Sequence, residues 1–229
     1  MDWALFGGED YTLVACVEEE VANKLAVKVA KYDLITAINN YYYGSSTSST
    51  TTSTYYIPST LKTVIITGSS YIPLGAFRNC TSLTSITIPE SVTSIGYEAF
   101  YVNKPIELHI ENLDAWREVQ INGNPAFNNV NELYIGDSAE PVEEIEIPVG
   151  TTAIKNYTFA GFKCIKSFII PDDVETIGNG AFYGCSGISE ILLPEKLKAI
   201  NYSTFSGCTK LTKIELPAYL ETIGSYAFQ

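Results

Sequence analysis

The five cysteines have the widest chemical range of any side chains in this sequence, and three of them recur at one position of a repeated pattern. Cys80, Cys185 and Cys208 each lie three residues after a phenylalanine. At a repeated apolar position a cysteine behaves as a small hydrophobic side chain, so we expect three buried core residues. A Cys185–Cys208 disulfide is the alternative, because copies that stack at the strand spacing of about 4.8 Å bring such cysteines within bonding reach.

The sequence lacks the partner residues that a metal site or a nucleophilic catalytic site would need. Cys16 and Cys164 lie outside the repeated position, and the absence of a Cys-x-x-Cys pair argues against a zinc site. His109 is the only histidine, so triad catalysis would depend on one residue that we expect on a sheet surface. Gly7-Gly8 alone is a weak indication of a phosphate site, and Glu143-Glu144 is typical of a solvated face. We predict a non-enzymatic protein with no metal and no cofactor.

The overall charge limits the partners. The chain has 229 residues, of which 26 are acidic and 14 basic, giving a net charge of −12 at pH 7. This balance argues against nucleic acid and against anionic membrane surfaces. No apolar run reaches the roughly 20 residues that a transmembrane helix needs. The segment Met1–Phe6 lacks the basic region of a secretory signal, which favours the cytoplasm if the chain is a whole protein.

The elements that position these side chains are copies of one pattern. It starts at Ile165, Ile188 and Leu211, a period of 23 residues. Each copy has apolar residues at i, i+3 and i+5, then a proline, a later isoleucine, and an Ala-Phe or Thr-Phe pair. A period of about 20–29 residues is typical of a leucine-rich solenoid, in which each coil gives one short parallel strand to a continuous sheet and turns or short helical segments form the convex side.

Earlier copies of the pattern have the same 23-residue spacing, which is then interrupted. Phe77 and Phe100 are again 23 residues apart, but residues 101–147 are irregular. Within them, alternation predicts a strand over Ile106–Ile110, and the spacing around Trp116 predicts a short helical turn. The turn-rich residues 136–141 favour a hairpin. We therefore expect about seven coils interrupted once, with Phe127 as a displaced anchor.

A glycine precedes the Ala-Phe pair in three coils, at Gly96, Gly178 and Gly224. We expect these glycines to supply a left-handed turn, with Asn201 tolerating the same geometry in another coil. A single coil buries too little apolar surface to offset its ordering entropy, so the coils must stack to fold. The sequence stops soon after Phe228 without a polar capping coil, from which we expect a longer protein.

Three segments are predicted. Residues 1–38 contain a strand and an amphipathic helix of α/β type, residues 39–56 form a Ser/Thr-rich linker or loop, and residues 57–229 form the repeat domain. The stretch Ala4-Leu-Phe-Gly-Gly-Glu-Asp-Tyr11 resembles a signature in the C-terminal domain of thiamine-monophosphate kinases, over residues 4–31. That resemblance implies a fragment of a kinase-like enzyme or a junction artefact.

The phrases Ile88-Pro-Glu-Ser-Val-Thr-Ser-Ile-Gly96, Ala99-Phe100 and Ala76-Phe-Arg-Asn-Cys-Thr-Ser-Leu83 resemble the BspA-type leucine-rich repeats of bacterial surface proteins. The resemblance covers residues 57–228. It implies a secreted or cell-surface protein that acts in adhesion by binding a host or neighbouring-cell protein. Phe162 departs from the pattern, because it stands where other coils have a cysteine.

The outward positions of the predicted strands form the candidate binding face, because side chains alternate across a strand. The residues are Thr84, Ser85, Thr87, Lys166, Ser167, Ile169, Ser189, Glu190, Leu192, Thr212, Lys213 and Glu215. Ile169 and Leu192 are apolar positions in neighbouring coils and form a candidate contact patch. We expect a protein or glycan partner. The alternatives are a spacer without a ligand and a module attached to the remnant of an enzyme.

Overall fold

The computed structural model describes residues 62–67, 69–72, 75–78, 80–102, 104–123 and 127–229. The segments predicted for residues 1–38 and 39–56 lie outside this part, as do Cys16 and Gly7-Gly8. The described chain is a parallel β-solenoid of seven coils, as the periodicity predicted.

Each coil contributes one strand to each of two rows. The first row consists of β1 (Thr63–Ile65), β3 (Ser85–Ile88), β5 (Ile106–Ile110), β8 (Glu144–Glu146), β10 (Ser167–Ile169), β12 (Glu190–Leu192) and β14 (Lys213–Glu215). The second row consists of β2 (Tyr71–Ile72), β4 (Ser94–Ile95), β6 (Gln120–Ile121), β9 (Ala153–Ile154), β11 (Thr176–Ile177), β13 (Ala199–Ile200) and β15 (Thr222–Ile223). All of the pairings are parallel. The pattern had indicated only the first row.

The apolar triplets of the coils that begin at Leu83, Ile165 and Ile188 face the core, as alternation requires. Leu83, Ile86 and Ile88 are at most 2% exposed, and the corresponding residues of the coils that begin at Ile165 and Ile188 are also buried. The proline that follows begins a turn. Its carbonyl accepts a hydrogen bond from the N–H three residues later, as from Val92 to the carbonyl of Pro89 at 3.1 Å.

The anchor phenylalanines stack on one another through the core. Ring centroids lie 5.2 Å apart between Phe77 and Phe100, and 4.9 Å between Phe100 and Phe127, which confirms Phe127 as the displaced anchor. A second stack runs from Phe159 through Phe182 and Phe205 to Phe228, at 5.8, 5.5 and 5.6 Å. Each ring therefore contacts rings of the adjacent coils, and this contact couples the coils.

The predicted role of the glycines is wrong, because Gly178 and Gly224 do not have positive φ. In six of the seven coils the left-handed residue comes two positions later, at Gly75, Glu98, Tyr157, Gly180, Ser203 and Tyr226. A Cβ on Gly178 would lie 2.6 Å from the backbone nitrogen of Asn156, and one on Gly224 would lie 2.7 Å from that of Tyr202. Close approach between coils therefore explains these two glycines.

The irregular section contains an extra strand and a helix. Strand β7 (Val130–Ile135) pairs with β5 in parallel, and helix α1 (Leu113–Glu118) confirms the predicted helical turn. The predicted hairpin around residues 136–141 is wrong, because β7 and β8 pair in parallel with β5 and β10 rather than with each other. The N–H of Val142 donates to the carbonyl of Leu133 at 2.7 Å, which joins the two arrays of coils.

Helix α1 connects the array before β7 with the array after it. The indole N–H of Trp116 donates to the carbonyl of Thr158 at 3.0 Å, and Arg117 donates to the hydroxyl of Thr151 at 2.8 Å. The Trp116 ring lies 6.0 Å from that of Phe127 and 5.9 Å from that of Phe162. Phe162 departs from the cysteine pattern because its larger ring fills the space between the two stacks. We call α1 together with residues 151–162 the joint.

Candidate functional site

The twelve predicted residues lie on the solvent side of the first row, which we call the sheet face. Thr84, Ser85 and Thr87 belong to the array before β7, and the other nine belong to the array after it. Ser85 pairs with Glu107 on one side and Thr63 on the other, so neighbouring coils present their outward residues in columns. The predicted set is therefore two separate patches, because three outward-facing strands stand between them.

The apolar positions of the sheet face are open to solvent. Ile169 is 48% exposed and Leu192 is 71% exposed, and they lie at the same position of adjacent coils. Ile65, 41% exposed, has the same position at the other end of the row and was missed by the sequence analysis. These three side chains give the sheet face an apolar component at each end.

Several polar residues of the sheet face bind one another. Lys166 forms an ion pair with Glu143, and Lys213 lies 2.9 Å from Glu215. This hydrogen bond and the opposite charge raise the pKa of Lys213 and lower the pKa of Glu215. Fully exposed pairs of this kind contribute little to stability. They leave the lysines partly engaged, so Lys166 and Lys213 are weaker recognition groups than their charge alone suggests.

The irregular section supplies outward residues that the candidate set omitted. Glu107 and His109 on β5 stand beside Glu132 and Tyr134 on β7. The imidazole of His109 stacks on the Tyr134 ring, with centroids 4.5 Å apart and planes within 6°. We call these four residues the acidic platform. Alternation within residues 106–110 already placed Glu107 and His109 on one face, but the bulge between Ile106 and Glu107 hid the register with β7.

The phenol of Tyr134 is held by the carboxylate beside it. Its O–H donates to Oε2 of Glu132 at 2.7 Å. This hydrogen bond raises the pKa of Tyr134 to about 12, with further contributions from the negative charges of Glu107 and Glu140. His109 Nε2 lies 4.0 Å from Oε2 of Glu107. Each ring of the stack therefore has a carboxylate next to it.

The four cysteines in the described part of the chain are free thiols, three of them in the core, and the disulfide alternative is not what the structure contains. Cys80, Cys185 and Cys208 are buried, as predicted. The thiol of Cys185 donates to the carbonyl of Phe159 at 3.0 Å, and that of Cys208 donates to the carbonyl of Phe182 at 3.2 Å. Burial raises the pKa of Cys80 and Cys208 to about 12, so these thiols are poor nucleophiles.

The described residues provide little room or ligation for chemistry. None of their His, Cys, Asp and Glu side chains form a group of three that could hold a metal ion. A cavity of about 10 Å³ under α1, lined by Ile88, Val92, Ile110, Trp116 and Val119, has room for about one water. Within the part of the chain that the structure covers, no helix is long and apolar enough to cross a bilayer.

The two rows of parallel strands, the 23-residue core pattern and the open sheet face define a leucine-rich repeat solenoid. The chain belongs to the family of the BspA type leucine rich repeat region, whose model matches residues 36–138 and 135–229 in six copies. Leucine-rich repeat proteins generally act as protein-binding or structural modules and are generally not enzymes. The thiamine-monophosphate kinase resemblance of residues 4–31 is not shown, and those residues lie outside the described part.

A solved structure of a bacterial leucine-rich repeat protein shares the fold. The chain is 27% identical to a leucine rich cell surface protein of Faecalibacterium prausnitzii A2-165, with a TM-score of 0.52, covering 73% of this chain and 51% of that one. It is 25% identical to a leucine-rich repeat protein of Bacteroides ovatus, with a TM-score of 0.45, covering 76% of this chain and 45% of that one. The chain thus spans about half the length of each. Comparison with curated proteins gave no match.

Proposed function

We propose that this chain is a non-catalytic binding module of a cell-surface or secreted protein, and that it engages a protein or glycan through the sheet face. The observation that carries the proposal is the exposure of Ile169 and Leu192 side by side on adjacent coils. Covering an apolar pair of this kind on an otherwise polar sheet would favour association. The surface location is supported by the resemblance to the F. prausnitzii protein, which is described as a cell surface protein.

Adhesion of beads coated with the full chain to epithelial and bacterial cells tests the proposal. We expect Ile169→Asp with Leu192→Asp to abolish adhesion, and Lys166→Ala with Lys213→Ala to weaken it. Val149→Asp is a matched control, because Val149 is 85% exposed but follows the turn proline outside the first-row strands. If beads carrying both aspartates adhere as well as wild type, the sheet face is not the binding surface.

A spacer without a specific ligand is the second candidate, and the ion pairs of the sheet face favour it. Lys166 and Lys213 each bind a glutamate of the same face, as solvated strand residues do without any partner. A spacer predicts that wild-type beads adhere no better than beads coated with an unrelated acidic protein. Adhesion that depends on Ile169 and Leu192 excludes this candidate.

A further inference from the structure

The centre of the sheet face differs in charge from its ends. The outward residues of β5, β7 and β8 are Glu107, His109, Asn131, Glu132, Tyr134, Glu144 and Glu146. They include four glutamates and no lysine or arginine. In the coils that follow β8, by contrast, Lys166 next to β10 and Lys213 on β14 neutralise Glu143 and Glu215. A negative field is therefore concentrated at the three strands where the repeat is irregular.

The acidic platform combines that field with a pair of stacked aromatic rings, each of which covers one face of the other. The stacked rings of His109 and Tyr134 fix two neighbouring outward positions, since stacking leaves each ring few alternative rotamers. The Glu107 side chain is 48% exposed and lies beside His109, and Glu132 is exposed beside Tyr134. Glu132 accepts one hydrogen bond from the phenol at one oxygen, which leaves its second oxygen for another donor.

We propose that the acidic platform receives a basic segment of a partner protein. One Arg or Lys side chain lies along the His109–Tyr134 rings, and its cationic group contacts the Glu107 and Glu132 carboxylates. Charge complementarity selects this occupant: carboxylates are the natural partners of guanidinium donors, and the stacked rings offer apolar contact to the stem of the side chain. The same charge repels sulfated or uronic glycans. The inference rests on the proposed function, because it assigns the partner chemistry of the same sheet face.

Titration of the full chain with a fluorescein-labelled peptide of four Gly-Arg repeats tests the inference. The salt concentration is kept at about 50 mM, because surface charges act over longer distances at low ionic strength. We expect Glu107→Gln with Glu132→Gln to weaken binding about tenfold, since each exposed ion pair contributes up to roughly fivefold. Glu175→Gln with Glu195→Gln is the control with equal net charge. Its exposed carboxylates lie just before β11 and in the turn after β12, and we expect about twofold or less.

Nuclear magnetic resonance locates the bound peptide. Backbone amide shifts of residues 107–109 and 132–134 should change most on addition of the Gly-Arg peptide. Tyr134→Phe keeps the ring but removes its bond to Glu132, and should bind almost as wild type. His109→Ala with Tyr134→Ala should bind several-fold more weakly, because the stem of the bound side chain loses its apolar contact. Equal weakening by both glutamine pairs would show general electrostatic attraction and overturn the inference. So would the absence of Gly-Arg binding, or tighter binding of heparin or a Gly-Asp peptide.

The bead assay separates this inference from the proposed function. If beads carrying Glu107→Gln and Glu132→Gln adhere as wild type while the Ile169 and Leu192 variant does not, the sheet face binds but the acidic platform is overturned. If the Gly-Arg peptide binds at the platform while wild-type beads fail to adhere, the inference is supported and the adhesive function is not.

Discussion

Truncating one ring of the phenylalanine stack tests whether ring contact holds the coils together. Phe182 is fully buried, and its ring contacts three others: Phe159 at 5.8 Å, Phe168 at 4.7 Å and Phe205 at 5.5 Å. Phe228 occupies the same position in the last described coil, but it is 45% exposed and stacks only on Phe205. Substituting alanine for each phenylalanine compares one residue type at two levels of burial.

The expected cost follows from these contacts. Truncating a fully buried phenylalanine to alanine costs about 3–5 kcal/mol, and each ring pair contributes about 0.5–1.5 kcal/mol of specific contact. We therefore expect Phe182→Ala to lower the free energy of unfolding by about 4 kcal/mol. Phe228→Ala removes one ring pair and about half the buried area, so we expect about 1–2 kcal/mol.

Equilibrium unfolding in urea, followed by circular dichroism, measures both values on the full chain. Because each coil contacts only its neighbours, Phe182→Ala should also broaden the transition by separating coils on its two sides. Phe228→Ala should shift the midpoint without broadening it. A loss below about 2 kcal/mol at Phe182, or equal losses at both positions, would mean that the strand ladders rather than the rings couple the coils.

Three further outcomes are expected. Burial raises the folded-state pKa of Cys80 and Cys208 to about 12, above the usual 9.0. Their contribution to stability is therefore complete below pH 9 and is lost as the pH rises toward 12. Denaturation midpoints should fall over this pH range, and should fall less steeply in Cys208→Ala. The added Cβ of Gly184→Ala meets nothing closer than 3.8 Å, so this variant should lose about 1 kcal/mol of stability for its φ of +70°. Gly187→Ala should lose several times more, because its Cβ would lie 2.3 Å from a backbone oxygen. Thermal melts that rank the two variants in the reverse order would contradict this account. Trp116→Phe should cost about 1–3 kcal/mol, because a buried carbonyl loses the indole donor, and an unchanged urea midpoint would disprove the role assigned to that bond.

The regular coils were predictable because their local pattern and their tertiary role coincide. Alternation placed Ile86 in the core and Thr87 on the surface, and the burial and strand register in the stacked coils confirm both predictions. The position of Phe127 was also recoverable, since a large aromatic residue near the expected spacing has one favourable place in the stack. The second row was missed because a two-residue strand has too few positions to show alternation.

The joint and the acidic platform could not be predicted, because both depend on contacts between segments without common spacing. Trp116 reaches Thr158 across 42 positions of the chain, and nothing in the local sequence pairs them. Tyr134 stands beside His109 only because a bulge shifts the register of β7. The hairpin was predicted wrongly at residues 136–141 because turn-forming residues indicate a reversal of direction without indicating which strands will pair.

The joint also limits how the gene can change in length. Within either array, a duplicated or deleted stretch of one whole period presents the same interface to both neighbours, so the number of coils can vary at little cost. The joint has no such freedom, because Trp116 and Arg117 must be followed by the particular coil that carries Thr151, Thr158 and Phe162. We therefore expect the segment from α1 to Phe162 to be inherited as one unit, while the flanking repeats grow or shrink around it.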